Sequence, residues 1–352
     1  MSSRPHVRVP ASPTKVPKAT AALTAEMRNN PAAVTPMGWM HTARFLTTAA
    51  ELFHLPALDV PEIAFVGRSN AGKSTLVNAL VGQKVAIVSP KAQTTRTRML
   101  GVALAGETQI ILVDTPGIFA AQRRFDRAMV AAAWDGAGDA DMIALIVDGR
   151  AGAGPKVEKI LEGLKDRPER KWLVLNKVDI AAKEKLLSLT TKLTEKCDFE
   201  QIYYISAATG DGLDEFKQAL ADAMPEGEWH FPEDQVSDAT DRLIASEITR
   251  EQLYLQLHEE LPYASAVETE KYSEREDGSL EIHQQILVAR PTQRAIVLGK
   301  GGARIKAIGE AARTELAKLM GVKVHLYLHV KVHAKWDEDR TLYRDIGLEW
   351  VE

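Results

Sequence analysis

Gly67-Arg-Ser-Asn-Ala-Gly-Lys-Ser-Thr75 fits the pattern Gly-x4-Gly-Lys-Ser/Thr, and the residues on either side give the match its weight. A short apolar run, Glu62-Ile-Ala-Phe-Val66, precedes it, and Leu76, Val77, Ala79 and Leu80 follow as an apolar helical run. Strand, glycine-rich loop and helix in that order form a phosphate cradle. The glycines, Gly67 and Gly72 among them, let backbone N–H groups turn inward around phosphate oxygens, and the helix N-terminus adds the positive end of its dipole. Lys73 is expected to reach the outer phosphates of a nucleoside triphosphate. The Ser74 hydroxyl is expected to bind magnesium, with Thr75 closing the motif.

A phosphate cradle does not choose its base. Asn176-Lys177-Val178-Asp179 does, just after the apolar strand Lys171-Trp-Leu-Val-Leu175. The Asp179 carboxylate accepts two hydrogen bonds, which guanine supplies from N1–H and its exocyclic amine; adenine offers an acceptor at N1 instead. Asn176 is expected at the base edge, with the Lys177 stem along the ring. Ser206-Ala207 follows the next apolar run, where a backbone N–H would meet the guanine carbonyl. GTP is the expected ligand.

Asp114-Thr115-Pro116-Gly117 supplies the rest of the phosphate end. Asp114 is expected to hold magnesium through water, and the Gly117 N–H to sense the terminal phosphate. Between the motifs, the polar segment Ser89–Arg96 reads as a loop carrying a magnesium-binding threonine, Thr95 or Thr94. Lys73, Thr95 and Gly117 are the expected catalytic set. Ile118 follows Gly117, where many GTPases carry a glutamine that orients water, so slow intrinsic hydrolysis is expected. Asn70 has two readings: it holds a potassium ion beside the phosphates, or it braces the loop.

At 352 residues the chain suggests roughly two or three domains. A net charge of −4 gives no global attraction to polyanions, so a nucleic-acid surface must be local. The single cysteine, Cys197, excludes an internal disulfide and suits a reducing compartment. No apolar run approaches the ~18 residues of a membrane span. A cytoplasmic protein is expected.

Residues 1–36 are proline-rich and basic and read as a disordered tail. Their scarcity of acids also suits a targeting peptide, although the prolines spoil an amphipathic helix. Residues 37–59 read as a helical segment. From 60 to 225, five apolar strands (62–66, 109–113, 142–147, 171–175 and 201–205) alternate with helices, predicting a mostly parallel α/β sheet with ligands at its carboxyl edge. Residues 226–236 read as a linker. An α+β region follows over 237–352: a helix (about 237–260), two strands (264–272, 279–289), two helices around Gly299-Lys300-Gly301-Gly302, and a strand (322–335). A Gly-x-x-Gly turn lets a nucleic-acid backbone approach closely. Basic side chains run from Arg290 to Lys335, opposed only by Glu310 and Glu315, which fits a phosphate-backbone partner.

From about 78 to 352 the chain resembles the Era family, in which a P-loop GTPase domain precedes a type II KH domain. Lys91-Ala-Gln-Thr-Thr-Arg96, Asp114–Gly117, Asn176–Asp179 and the run from Gly299 through Leu316 carry the resemblance. It implies a GTP-hydrolysing switch that binds ribosomal RNA near the 3′ end of 16S-type RNA and acts in small-subunit maturation. It also implies RNA-backbone contacts at Gly299, Lys300, Gly301, Gly302, Arg304 and Lys306, and peripheral association with a membrane. A monomer is expected. Residues 38–75 are instead more similar to the amino terminus of EngB, a GTPase of large-subunit assembly. That places a seam near Thr75–Gly82 and leaves the packing of the first strand and helix in question. Two other functions remain open: an RNA-binding adaptor with negligible turnover, and an EngB-like large-subunit factor.

Overall fold

Apolar runs at 62–66, 142–147 and 171–175 are too uniformly hydrophobic for a half-solvated sheet, and the structure covers both their faces. A computed structural model describes residues 61–352; the tail and helical segment expected before Val60 lie outside the described residues. The first sheet contains β1 (Glu62–Gly67), β2 (Met99–Ala105), β3 (Thr108–Asp114), β4 (Met142–Asp148), β5 (Arg170–Asn176) and β6 (Gln201–Ile205). Their order is β2-β3-β1-β4-β5-β6, all parallel except the β2–β3 hairpin.

Residues of β1 alternate between two cores. Ile63 and Phe65 pack with Leu76 and Leu80 of α1 (Lys73–Val81) and with Phe216 of α5 (Leu213–Asp222). Ala64 and Val66 pack on the other side, where α2 (Arg124–Gly138), α3 (Pro155–Lys165) and α4 (Lys183–Thr194) supply Ala133, Ile160 and Leu193. The suspected seam therefore leaves no mark on packing: β1 is central, in register with β3 and β4, and all four residues are fully buried.

The strand β2 was not among the five expected. Its sequence, Met-Leu-Gly-Val-Ala-Leu-Ala, is rich in small residues because α1 presses on it: a Cβ on Gly101 would lie 2.8 Å from Val77. Between Asp222 and Asp241 there is no helix or strand. That segment borders β2, with the Val102 N–H donating to the Val236 carbonyl (2.8 Å) and Ser237 Oγ donating to the Leu100 carbonyl (2.6 Å).

The second sheet is formed by β7 (Ser265–Glu274), β8 (Leu280–Val288) and β9 (Val324–Val332), antiparallel then parallel. The helices are α6 (Asp241–Gln256), α7 (Pro291–Leu298) and α8 (Ala303–Met320), so the order is helix–strand–strand–helix–helix–strand. Thr240 caps α6 by accepting from the Leu243 N–H. The strand expected over 322–335 ends at Val332, and an unanticipated short helix, α9 (Arg340–Asp345), follows. Its Leu342 and Tyr343 join Trp336 and Ala266 against Phe125 and Met129 of α2, an apolar core shared by the two halves.

Candidate functional site

The loop between β1 and α1 wraps a concave surface at the carboxyl edge of the first sheet. Gly72 adopts φ 92°, a left-handed conformation, and its missing Cβ makes room for the Asn176 amide. Lys73 is 5 % exposed and donates to the Gly67 and Arg68 carbonyls at 3.3 Å each. Burial pushes its ammonium pKa down, opposed by the charge of Asp114.

Three predicted metal-side residues converge. Ser74 Oγ donates to Asp114 Oδ2 at 2.5 Å, Thr95 Oγ1 donates to the same oxygen at 3.3 Å, and the two hydroxyls are 2.9 Å apart. Thr94 is excluded from this cluster, since its hydroxyl meets Ser89 Oγ (2.6 Å) and the Lys91 carbonyl (2.8 Å). Asp114 is fully buried, and its second oxygen, Oδ1, has no hydrogen-bond partner. Burial raises the carboxyl pKa, opposed by Lys73 and then by the two hydroxyls. An orphaned carboxylate oxygen beside two hydroxyls suits a hard divalent cation held partly through water. The residues fit magnesium.

Gly117 packs so closely on Ser69 that any side chain would collide. Ile118 donates its N–H to the Gly67 carbonyl (3.1 Å) and buries its side chain in the core behind β1. Asn70 Nδ2 donates to the Pro90 carbonyl (2.9 Å), so the bracing role is the one seen.

At the base end, the structure revises two expectations. Asn176 is 1 % exposed and ties loops together: Nδ2 donates to the Ala71 carbonyl (2.9 Å), while Oδ1 accepts from the N–H groups of Lys177 (2.8 Å) and Ala207 (3.0 Å). One amide hydrogen is left for a base edge. The Ser206 N–H is likewise engaged, with the Asp211 carbonyl (2.9 Å), so neither it nor that of Ala207 stands free for a guanine carbonyl. Side-chain bracing of this kind is invisible in a four-residue motif. Lys177 Nζ donates to the Asn70 carbonyl and to Asp148, both at 2.7 Å, which lays its stem along the loop. For Asp148, burial favours a higher pKa, but hydrogen bonds from Lys177, Ala151 and Arg150 outweigh it and hold the carboxyl low. Sequence reasoning missed Asp148, whose signal was an acidic residue ending β4. Asp179 is exposed on the short turn Val178–Ile180, and its carboxylate makes no hydrogen bond among the described residues.

In the second half, Gly299, Gly301 and Gly302 all have positive φ (70°, 60° and 78°). Nothing lies within 4 Å of a Cβ built on Gly301 or Gly302, so the turn presents bare backbone to solvent. Lys300, Arg304 and Lys306 are exposed around it. The turn opens onto a groove between α8 and β9, floored by Ile305, Leu326 and Leu328 and rimmed by Lys306 and Arg313. Of the groove residues beyond Lys306, Arg313 belongs to the expected basic run and the rest were not anticipated. Their signal was Gly309, a glycine inside a helix, which lets α8 approach Leu328. Lys331 does not share this surface, because it pairs across from Leu287 on the opposite face of the sheet.

A phosphate loop, an Asn-Lys-Val-Asp turn and a Ser74–Thr95–Asp114 cluster that fits magnesium, all on a mostly parallel sheet, are followed by a helix–strand–strand–helix–helix–strand module with a glycine turn; together they define a P-loop GTPase joined to a type II KH domain. Family models agree: residues 62–177 match that of the 50S ribosome-binding GTPase, and 260–337 that of the KH domain. GTPase Era of Erythrobacter litoralis is 65 % identical over 293 residues, covering 82 % of this chain and 96 % of the relative. The chain belongs to the Era family of GTPases. GTPase Era of Maricaulis maris is 53 % identical over 303 residues, with the same coverages. Two solved structures are also similar. One is an Aquifex aeolicus Era point variant bound to GDP and aluminium fluoride (TM-score 0.77, 38 % identity, 81 % of this chain and 98 % of that one). The other is Era with MgGDPNP and nucleotides 1506–1542 of 16S ribosomal RNA (TM-score 0.78, 37 % identity, 82 % and 98 %).

Proposed function

We propose that this chain hydrolyses GTP to GDP and phosphate and uses the cycle to control binding of ribosomal RNA near the 3′ end of 16S-type RNA, in maturation of the small ribosomal subunit. The observation that carries the reading is the Ser74–Thr95–Asp114 cluster beside the phosphate loop, with its orphaned carboxylate oxygen. The similar Era structure that holds MgGDPNP and nucleotides 1506–1542 of 16S ribosomal RNA supports both ligands.

Ser74, Thr95 and Asp114 would hold magnesium, which would neutralise charge developing on the phosphates. Lys73 gathers the outer phosphates, the Gly117 N–H senses the terminal one, and Gly67, Gly72 and Thr75 shape the cradle. Asp179 selects guanine, helped by the remaining amide hydrogen of Asn176 and the Lys177 stem, while Ser206 and Ala207 brace the loop through their bonds to Asp211 and Asn176. Ile118 cannot orient water, so turnover is slow. Asn70 keeps Oδ1 for a potassium ion while its amide braces Pro90. Gly299, Lys300, Gly301, Gly302, Arg304 and Lys306 meet RNA backbone, and the neighbouring groove takes unstacked bases. Among the described residues, no helix is long and apolar enough to cross a membrane. Work on ribosomal RNA puts the chain, as a monomer, in the cytoplasm, and any membrane association is peripheral.

Phosphate release with GTP or ATP, in potassium or sodium, tests the enzyme. Slow, magnesium-dependent release from GTP alone, lost in Lys73→Ala and faster in potassium, is expected. Equal use of ATP would overturn the guanine assignment, and identical rates in the two salts would remove the ion from Asn70.

A further inference from the structure

Residues 91–97 do not occupy the solvent that their polarity suggests. Lys91 Nζ donates to the carbonyls of Tyr254 and Leu257 in α6 and just beyond it, the latter at 2.8 Å. The Tyr254 hydroxyl donates to the Gln93 carbonyl (3.1 Å). Arg96, 5 % exposed, donates to the Ser265 carbonyl (2.8 Å), the Pro262 carbonyl (3.2 Å) and the Tyr254 hydroxyl (3.2 Å). Its guanidinium also sits 5.3, 5.8 and 5.9 Å from the ring centres of Phe125, Tyr254 and Trp336. Among the described residues no carboxylate pairs with it. Burying a cation this way is costly unless its donors are met, and here backbone carbonyls and aromatic faces meet them.

The purpose of so expensive an arrangement lies next to it in the chain. Thr95 is flanked by two anchors, Gln93 two residues before and Arg96 immediately after, and both end on the same tyrosine hydroxyl. Thr95 Oγ1 is 2.9 Å from Ser74 Oγ. We infer that the KH half positions the magnesium-side hydroxyl of the GTPase half: Tyr254 and Arg96 are positioning residues that hold Thr95 against Ser74 and Asp114. The inference rests on the assignment of Thr95 to magnesium. On this reading Thr95 joins the ion when the triphosphate is bound, so its loss should weaken the grip on Mg·GTP and leave GDP untouched.

Tyr254→Phe isolates the effect. It keeps the ring, its edge-on contact with Tyr263 and its face toward Arg96, and removes only the hydroxyl shared by Gln93 and Arg96. The measurement is release of a fluorescent GTP analogue, and of its GDP counterpart, from the full chain across a magnesium titration. Wild type, Thr95→Ala, Tyr254→Phe and Arg96→Lys are compared, with hydrogen–deuterium exchange of peptides spanning 89–98. Loss of one or two hydrogen bonds should raise the half-saturating magnesium concentration for GTP retention about three- to tenfold in Tyr254→Phe. GDP release should not change, and exchange should quicken around Thr95. Arg96→Lys, which cannot reach all three acceptors, should act in the same direction. A Thr95→Ala shift without any Tyr254→Phe shift overturns the inference while the magnesium assignment stands. No shift in Thr95→Ala overturns that assignment and the inference with it.

Discussion

Asp179 owes its usefulness to what it does not touch. Asn176, Lys177 and Asp148 spend their polar atoms bracing the loops around the base, whereas the Asp179 carboxylate is exposed and unpaired among the described residues. Its two acceptors are therefore available to guanine N1–H and the exocyclic amine. Asp179→Asn replaces one acceptor by a donor, which xanthine matches with a carbonyl. The loss of GTP affinity should be on the order of 2–4 kcal/mol, with xanthosine triphosphate now preferred. Competition titrations check this; unchanged preference for GTP would move base selection elsewhere.

The glycine turn between α7 and α8 and the sheet behind it act as elements. Gly302 sits at φ 78° with open space above it, a conformation that aspartate tolerates better than most residues. Gly302→Asp should therefore stay folded and abolish RNA binding by placing an anion where phosphates approach, with GTP affinity intact. Lys306→Ala should weaken binding across sequences and flatten its salt dependence by about one phosphate contact. Anisotropy titrations at several salt concentrations distinguish the two, and unchanged affinity in folded Gly302→Asp would reduce the turn to a connector. On the opposite face of that sheet, hydrogen bonds from Lys271, Arg275 and His283 hold Glu281 down at about 2, against an ordinary 4.5. A depressed carboxyl pKa gives stability that is present above the unfolded value and lost as pH falls through the folded one. Between pH 4.5 and about 2 the wild type should thus lose stability more steeply than Glu281→Gln, as acid titration of the unfolding midpoint would reveal. Parallel slopes would mean that the cluster forms equally in the unfolded chain.

Across the whole molecule, legibility followed the length scale of the forces. The buried strands β1, β4 and β5 were readable because both faces are apolar, and the loop between β1 and α1 because its glycines fix its spacing. Strand β2 was not, since Gly101 and Ala103 answer to the helix pressed on them rather than to strand propensity. Arg96 was hidden for a different reason. A polar loop residue reads as solvent-facing until the aromatic cage of Phe125, Tyr254 and Trp336, drawn from segments over two hundred residues apart, is assembled around it. That shared core makes the two halves one device, so the particle it works on should depend on both. The most direct measurement is co-sedimentation of the full chain, loaded with a non-hydrolysable GTP analogue, with separated ribosomal particles. Migration with the small subunit, lost in Gly302→Asp, is the predicted result; migration with the large subunit, or equal binding by Gly302→Asp, would contradict the account.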